Sequence, residues 1–383
     1  MAPVSPAAIA GVNVGNLIVA VDGRSAGGKN GMWQEGPIGQ IVRLRLANIG
    51  LLPTSAIGAN QCVRLIMIYG PTSTANEVLD GRRLTGKRIL VTGVSSGVGL
   101  ETARALASHG AIVVGAVRDL AKGATAMGAL GSEGSFRLVE LNLSSLESVN
   151  ACGAAVLAEG NPFDLIIANA GVMAVPFGLT VDGFETHFAT NYLGHYLLVN
   201  RMAGLLHQES RVVMVSSAGH RGADVDLEDP NFERKHYDPL VAYRQSKTAT
   251  ILFAVEFDRR YKDRGIRAAA VHPGAVLTET TQKLIDAQPS AALAFTWMTV
   301  AQGAATSVWA GCVASADEVG GHYAEDCHVA EVNDDPIAGT GVRSYALDPD
   351  AAKALWLASE KMVGEAFQRR MPPLRPPHAG RVP

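Results

Sequence analysis

From residue 88 onward, short apolar runs alternate with stretches of helical periodicity. The apolar runs cover residues 88–93, 111–117, 136–143, 164–171, 211–217 and 267–274, and residues 322–331 resemble a last strand with its exit loop. Each run is continuous rather than alternating in polarity, which is typical of parallel strands covered on both faces. The order predicts an α/β fold: a doubly wound, mostly parallel sheet of about seven strands with helices on both faces.

The composition changes near residue 70. Residues 1–70 contain only two acidic residues, Asp22 and Glu35, and show no periodicity of helix length. We therefore expect residues 1–70 to be a poorly structured extension whose first 66 residues lie before the true start of translation at Met67. A small accessory or targeting segment is the alternative. Residues 71–370 are expected to form one domain, followed by a Pro-rich tail at residues 371–383.

The composition, the net charge and the cysteine count exclude several classes of protein. The 383 residues are 48% hydrophobic, enough for a large core, and the net charge of −3 disfavours nucleic-acid binding. No uninterrupted apolar run approaches the length of a spanning helix, so we expect no membrane span. The cysteines are scattered without the spacing of a metal site or a disulfide framework, which favours a reducing, cytoplasmic location. They are Cys62, Cys152, Cys312 and Cys327.

A glycine-rich turn joins the first predicted strand to the first predicted helix. It reads TGVSSGVG at residues 92–99. Glycines allow a tight turn and a close approach of the backbone to a pyrophosphate, while the helix N-terminus offers free N–H groups. The turn is therefore predicted to bind a dinucleotide through Thr92, Gly93, Ser95, Ser96, Gly97, Val98 and Gly99. The spacing TGxxxGxG differs from the common fingerprint GxGxxG.

Residues 242–249, AYRQSKTA, place Tyr243 and Lys247 four positions apart. On a helix these two side chains would be neighbours on one face. An ordinary amphipathic helix explains such a pair when it stands alone. A lysine ammonium about 4 Å from a phenolate would favour it by roughly 4 kcal/mol at an effective dielectric of 20, or about three pKa units. The pattern therefore also fits a tyrosine whose pKa is lowered for proton transfer near neutral pH.

Six short motifs in order carry a resemblance to a known family. They are TGVSSGVG, NAG at 169–171, NYLGHY at 191–196, VSS at 215–217, YRQSK at 243–247 and HPG at 272–274. Residues 72–365 resemble a short-chain dehydrogenase/reductase, most closely the retinol dehydrogenase and WW-domain oxidoreductase branch. The resemblance implies a Rossmann-type, NADP-binding catalytic domain. It does not cover residues 1–70 or the last dozen.

The resemblance also implies roles for individual residues. Tyr243 is the general acid/base, Lys247 also binds the nicotinamide ribose, Ser217 polarises the substrate oxygen, and Asn191 supports a water-linked proton path to Lys247. Further cofactor contacts are implied for Asn142, Leu143, Asn169, Ala170, Gly171, Pro273, Gly274 and Thr278. Two positions depart from the family pattern: Ala168 stands where many relatives have an asparagine, and Asn142 where many have an aspartate.

The cofactor prediction is NADP, with NAD left open. Dehydrogenases that prefer NAD place an acid at the end of the second strand, where it would repel a 2′-phosphate. Here that position is Val117, and the next residue, Arg118, has the fork geometry that suits a phosphate. Asp119 follows, and a small shift of the loop would bring its carboxylate to the ribose instead.

The predicted activity is the interconversion of an alcohol and a carbonyl on a lipophilic small molecule. The largely apolar segment after Thr278, with Leu284, Leu293, Phe295, Trp297 and Met298, fits a substrate lid, although packing on the core explains it equally well. Two alternatives stay open: a reductase of a carbon–carbon double bond and a non-catalytic module that senses dinucleotide. By resemblance, copies would pair as a homodimer or homotetramer through the helices that carry Asn191 and Tyr243, and the chemistry needs no metal.

Overall fold

The computed structural model describes residues 69–128, 135–287 and 296–367, and the backbone of four short strands before them. The chain divides into two compact units, Met1–Tyr69 and Gly70–Pro383. No helix in these described ranges is both long and apolar enough to cross a membrane.

The first unit contains a four-stranded sheet. Its strands are β1 (Asn16–Val21), β2 (Arg24–Ser25), β3 (Val42–Asn48) and β4 (Val63–Ile66), in the order β2-β1-β3-β4. β1 is antiparallel to β2 and β3, and β3 is parallel to β4. The sequence predicts a poorly structured extension, whereas β1 coincides with the apolar patch NLIVAV. Such a run is too short for helical periodicity but long enough for a strand.

The second unit is built on an eight-stranded sheet in the order β12-β11-β10-β9-β8-β5-β6-β7. The strands are β5 (Arg88–Thr92), β6 (Ile112–Val117), β7 (Ser135–Glu140), β8 (Phe163–Ala168), β9 (Leu206–Val215), β10 (Arg267–Val271), β11 (Tyr323–Glu325) and β12 (His328–Val329). Every neighbouring pair is parallel except β11–β12. The predicted doubly wound parallel sheet is confirmed, with one short antiparallel strand added at its edge.

Two layers of helices cover the sheet. The helices are α1 (Ala75–Leu79), α2 (Gly97–Ser108), α3 (Leu120–Gly128), α4 (Leu146–Glu159), α5 (Gly194–Met202), α6 (Pro239–Tyr261), α7 (Glu279–Ala287), α8 (Val300–Gly303), α9 (Ala305–Cys312), α10 (Ala316–Val319) and α11 (Pro349–Val363). α4, α5, α6 and α11 pack side by side, and α1, α2, α8 and α9 form a second group. The strand order reverses between β5 and β8, and in open α/β sheets ligands bind at the carboxyl ends of the strands at such a point.

The last helix, α11, covers the helices that carry the predicted catalytic residues. The Trp356 ring stacks on Phe253 of α6 with centroids 5.7 Å apart and meets Tyr196 of α5 edge-on at 5.1 Å. The Tyr192 hydroxyl shares a 2.6 Å hydrogen bond with Ser359. The three partners of α11, which are Phe253 on α6, Tyr196 on α5 and Tyr192 in the turn before α5, are therefore buried by their own chain.

Candidate active site

The sequence-predicted site residues converge at the carboxyl ends of β5, β8, β9 and β10. Thr92 ends β5, and its Oγ1 accepts hydrogen bonds of 2.9 Å from the N–H groups of both Asn169 and Ala170, which follow β8. The Asn169 side chain donates back to the Thr92 carbonyl at 2.9 Å. These bonds fix the spacing between the two strand ends on either side of the reversal.

The glycines of the turn are required by geometry. Gly93 and Gly97 have φ of 77° and 58°, in the left-handed region that favours glycine. A Cβ on Gly93 would lie 2.9 Å from the Ala170 Cβ, and one on Gly99 would lie 2.3 Å from the Gly93 carbonyl oxygen. Ser95, Ser96 and Val98 lie on the accessible side of the turn, and the Ser96 side chain does not cap α2. The result is a concave backbone surface with free N–H groups at the start of a 12-residue helix, which fits a pyrophosphate.

The residues predicted to contact the adenosine lie at the far end of this surface. Arg118 is exposed directly after β6. The neighbouring Asp119 carboxylate accepts a 2.9 Å hydrogen bond from the Lys122 N–H, at the start of α3. The Asn142 side-chain oxygen accepts 3.2 Å and 2.7 Å bonds from the N–H and hydroxyl of Ser144. The buried Leu143 contacts α5 so closely that a Cβ on Gly194 would lie 2.5 Å from its carbonyl oxygen.

The side chains of Lys247 and Asn191 both lie close to Gly171. The Asp238 side chain caps α6 at the N–H groups of Leu240 and Val241, and the helix presents Tyr243 and Lys247 on one face. The Lys247 side chain is buried, and its ammonium donates a 2.9 Å bond to the Val215 carbonyl. A Cβ on Gly171 would lie 2.9 Å from Asn191 Oδ1 and 3.6 Å from Lys247 Nζ.

Asn191 lies in a single π-helical turn, Phe188–Leu193, directly before α5. Its side-chain oxygen accepts from the Val172 N–H at 2.8 Å, and its amide donates to the Val172 carbonyl at 3.0 Å and to Ser246 Oγ at 2.9 Å. The sequence predicts that Asn191 begins or interrupts a helix, and the π-turn is that interruption. Single π-helical turns of this kind are common at functional sites.

The side chains of Ser217 and Tyr243 lie together at the end of β9. Ser217 caps the turn Ala218–Gly222, where its Oγ accepts a 3.0 Å bond from the Gly219 N–H. A Cβ on Gly219 would lie 3.1 Å from the Tyr243 ring and 3.3 Å from Ser217 Oγ, so glycine leaves room for both. Burial raises the pKa of Tyr243, and the neighbouring Ser217 hydroxyl offsets only part of that rise.

The predicted lowering of the Tyr243 pKa by Lys247 is not found. The ammonium lies 5.7 Å from the centre of the tyrosine ring and donates its hydrogen bond to the Val215 carbonyl. Burial lowers the pKa of Lys247 itself to about 8. The buried lysine therefore bears a desolvation cost of its own, which opposes a lowering of the tyrosine pKa by its charge.

Pro273, Gly274 and Thr278 follow β10 as predicted. Gly274 has φ of 88°, and a Cβ there would lie 2.1 Å from the Met298 sulfur. Thr278 faces the glycine turn, since its methyl carbon would lie 3.5 Å from a Cβ on Gly97. Among the predicted lid residues, Trp297 and Met298 are described and partly buried, whereas Leu293, Phe295 and the side chain of Leu284 lie outside the described residues.

Two buried histidines that the sequence analysis did not assign a role support the site. Thr92 Oγ1 already accepts two N–H groups, so its own hydrogen points to His195 Nε2 at 2.9 Å. His195 Nδ1 therefore carries the proton and donates to the Asn191 carbonyl at 3.0 Å. Burial lowers its pKa to about 4, in agreement with a neutral ring. The only signal in the sequence for this contact was the i, i+4 spacing of Asn191 and His195 within NYLGHY. That spacing could be interpreted only once the π-helical turn was known.

His220 supports Ser217 in the same manner. The Arg343 N–H donates to His220 Nε2 at 3.3 Å, so Nδ1 carries the proton and donates to the Ser217 carbonyl at 2.7 Å. Burial lowers the pKa of His220 to about 4. Its partner, Arg343, is about 120 residues away in the chain, and no local pattern could have indicated it.

The comparisons with known proteins agree with this geometry. The family model described as short chain dehydrogenase matches residues 87–289. The chain is 39% identical over 303 residues to the short-chain dehydrogenase/reductase prx1 of Penicillium roqueforti, which covers 75% of this chain and 87% of the relative. It is 34% identical over 312 residues to the human WW domain-containing oxidoreductase, covering 78% and 73%. The chain belongs to the short-chain dehydrogenase/reductase family, and the predicted branch is confirmed.

Solved structures share the fold. A protein of unknown function from Mycobacterium paratuberculosis is 34% identical, with a TM-score of 0.61 over 76% of this chain and 98% of that one. A short-chain dehydrogenase from Burkholderia cenocepacia, solved in complex with NADP, is 23% identical, with a TM-score of 0.52 over 64% of this chain and 99% of that one. These structures share the fold of the second unit, and the family model and the curated relatives make this chain an oxidoreductase of the short-chain dehydrogenase/reductase family.

Proposed function

We propose that this protein uses NADP(H) to interconvert an alcohol and a carbonyl on a lipophilic small molecule, with Tyr243 as the acid/base. The observation that carries the proposal is the joint placement of Asn191, Ser217, Tyr243 and Lys247 at the sheet edge beside the glycine turn. The NADP bound to the Burkholderia cenocepacia protein of the same fold supports a nicotinamide cofactor. The partly buried Trp297 and Met298 favour an apolar substrate.

Tyr243, Ser217 and Lys247 each have a separate part in the proposed reaction. The bound nicotinamide dinucleotide supplies or accepts the hydride. The Tyr243 hydroxyl gives a proton to the carbonyl oxygen in reduction and takes it back in oxidation. Ser217 Oγ accepts the Gly219 N–H through one of its two lone pairs, and its hydrogen would be donated to the same substrate oxygen. The ammonium of Lys247 has N–H groups beyond the one given to Val215, and these would hold the ribose hydroxyls.

A panel of aldehydes, ketones, alcohols and α,β-unsaturated carbonyls, assayed with NADPH, NADH and their oxidised forms, tests the proposal. We expect turnover of aldehydes, ketones or alcohols with apolar chains. Turnover confined to the carbon–carbon double bond would replace the proposal with the second reductase activity. Cofactor binding without any turnover would favour a dinucleotide-sensing module.

We predict that Arg118→Ala weakens NADP binding by about ten- to a hundredfold while NAD binding barely changes. A charge-assisted contact to the 2′-phosphate contributes roughly 1.5–3 kcal/mol. The Asp119 carboxylate is engaged by the Lys122 N–H, which supports Arg118 rather than Asp119 as the reader of the ribose. Titration of both cofactors measures the effect, and Arg83→Ala, an exposed arginine before β5, is the control. Equal losses for both cofactors, or tighter NAD binding by the wild type, would contradict the prediction.

We predict that residues 1–66 are dispensable for folding and activity. They carry no family motif, and the unit that holds every predicted site residue begins at Gly70. A chain that begins at Met67 should match the full chain in solubility, melting temperature and turnover. As a control, a chain that begins at residue 85 should lose stability, because it lacks the fully buried Ala75, Val78 and Leu79 of α1. An insoluble or inactive Met67 chain would show that the first unit is required.

We propose that copies of the chain do not pair through α5 and α6, because α11 covers that surface. Sedimentation velocity over a range of concentrations should show no association through this face, and hydrogen exchange in α11 should be slow at every concentration. The predicted dimer or tetramer would need another surface. Association accompanied by fast exchange in α11 would show that the helix gives way to a partner.

A further inference from the structure

A buried polar cluster lies beside Tyr243 and has no part in the proton transfer derived above. Its members are Glu185, His187 and Tyr237. Glu185 and His187 are fully buried, and the His187 ring meets the Tyr243 ring edge-on with centroids 6.1 Å apart. Burying a carboxylate and an imidazole is unfavourable unless each is hydrogen-bonded. The hydrogen bonds of these side chains show which part of the backbone the cluster holds in place.

The hydrogen bonds define the tautomer of His187. The Val175 N–H donates to His187 Nε2 at 3.2 Å, so this nitrogen is an acceptor. Nδ1 therefore carries the proton and donates to Glu185 Oε1 at 2.8 Å. The other carboxylate oxygen accepts a 2.7 Å bond from the Phe188 N–H. The carboxylate thus fixes which nitrogen of the ring faces Val175.

Both backbone groups of Val175 are held by this cluster. Its N–H donates to His187, and its carbonyl lies 3.1 Å from the Tyr237 hydroxyl, whose one hydrogen it shares with Glu185 Oε1 at the same distance. Three residues earlier, both backbone groups of Val172 are held by the Asn191 side chain. Between these two fixed points Ala174 has φ of 52°, a conformation that costs a non-glycine residue energy and persists only when its surroundings hold it.

The segment held in this way borders the catalytic residues. It begins directly after Gly171, where an added Cβ would lie within 3.6 Å of both Asn191 and Lys247, and it ends at Val175, which is bonded to the histidine that packs against Tyr243. We propose that Glu185, His187 and Tyr237 are positioning residues that hold the backbone of residues 172–175 as the wall of the substrate site, and so determine which substrates fit beside Tyr243. The proposal deepens the proposed function and rests on it for the identity of the site.

Two substitutions of His187 separate its two hydrogen bonds. The His187→Gln side chain ends near the position of Nε2, where its amide oxygen can accept from the Val175 N–H. The shorter His187→Asn side chain ends near Nδ1, where it can donate to Glu185 but cannot reach Val175. Tyr237→Phe removes the hydroxyl that the Val175 carbonyl and Glu185 Oε1 share, and keeps the ring contacts with Phe177 and Phe232, at 5.1 Å and 5.2 Å.

Amide hydrogen exchange at Val175 provides a readout that does not depend on activity. We expect His187→Asn to increase the exchange rate of this amide by roughly three- to tenfold, the range for one lost hydrogen bond, and His187→Gln to stay near the wild type. Turnover of the bulkiest accepted substrate should separate the variants in the same way, with a KM that rises by a similar factor in His187→Asn and in Tyr237→Phe. The Kd of the cofactor and the kcat for a small substrate should change by less than about twofold.

Identical behaviour of the Gln and Asn variants, or an unchanged Val175 amide and KM in His187→Asn, would overturn the proposal. If His187→Asn does not fold, Tyr237→Phe must still raise KM for the bulky substrate without affecting cofactor binding, or the proposal fails. If the wild type turns over no carbonyl or alcohol, the proposed function fails by itself, whereas the exchange experiment still decides whether the cluster holds Val175.

Discussion

Replacing Tyr243 with phenylalanine is expected to lower kcat by more than about 10²-fold, the loss typical of removing a general acid/base. Only the hydroxyl transfers the proton, whereas the ring keeps its contacts with His187 and with the turn at Gly219. The Kd of the cofactor and the melting temperature should therefore remain close to those of the wild type. Steady-state kinetics, cofactor titration and thermal melting of the two proteins measure the three quantities.

Tyr261→Phe is the matched control for this experiment. Tyr261 is a buried tyrosine near the end of the same helix, α6, and its ring stacks on Phe257. Loss of its hydroxyl should leave turnover unchanged. Near-normal turnover in a well-folded Tyr243→Phe protein would show that another group transfers the proton.

Lys247→Met is expected to abolish most activity and, at the same time, to stabilise the fold at pH 7. The ammonium would bind the ribose, so its loss should weaken cofactor binding by about ten- to a hundredfold. In the folded protein, however, burial lowers the pKa of Lys247 from 10.5 to about 8. Below pH 8 the folded state must bury a charge, which costs on the order of 3 kcal/mol. Methionine removes this cost and has a similar length.

The sign of the pH dependence follows from this shift. Between pH 8 and 10.5 the unfolded chain binds more protons at Lys247 than the folded one, so wild-type stability gains from this residue as pH rises through that window. The stability difference between Lys247→Met and the wild type should therefore be largest near pH 7 and shrink toward pH 10.5. Denaturant unfolding at several pH values measures it, with Lys262→Met, an exposed lysine at the end of α6, as the control. A methionine variant that is less stable at pH 7 would mean that the folded protein compensates the buried charge.

Much of the site could be predicted from local patterns. The strands were visible because a strand buried on both faces must be continuously apolar, as in β6 and β8. Gly93, Gly97 and Gly99 could be placed because the turn between β5 and α2 has no room for a Cβ at Gly93 and Gly99 and has a left-handed backbone at Gly97. Tyr243 and Lys247 share a face because helical spacing alone requires it. The family motifs then associated Asn191 and Ser217 with the same edge.

Other properties depend on residues that are distant in the chain. The roles of His220 and His187 depend on the N–H groups of Arg343 and Val175, which donate to them and so select their tautomers. The cover over α5 and α6 depends on Trp356 of α11 packing against Phe253 and Tyr196. No periodicity indicates such contacts, because they are formed by chain crossings and not by local geometry.

The sequence by itself determined the order of strands and helices, the glycine turn and the choice of candidate catalytic residues, since these follow from apolar periodicity, backbone sterics and short motifs. Only the tertiary structure decided the electrostatics of the site. Spacing along α6 brought Lys247 near Tyr243, but burial and the Val215 carbonyl determined where its ammonium points. The pKa of Tyr243 is consequently raised rather than lowered, because desolvation depends on every element packed around a group and not on its neighbours in the chain.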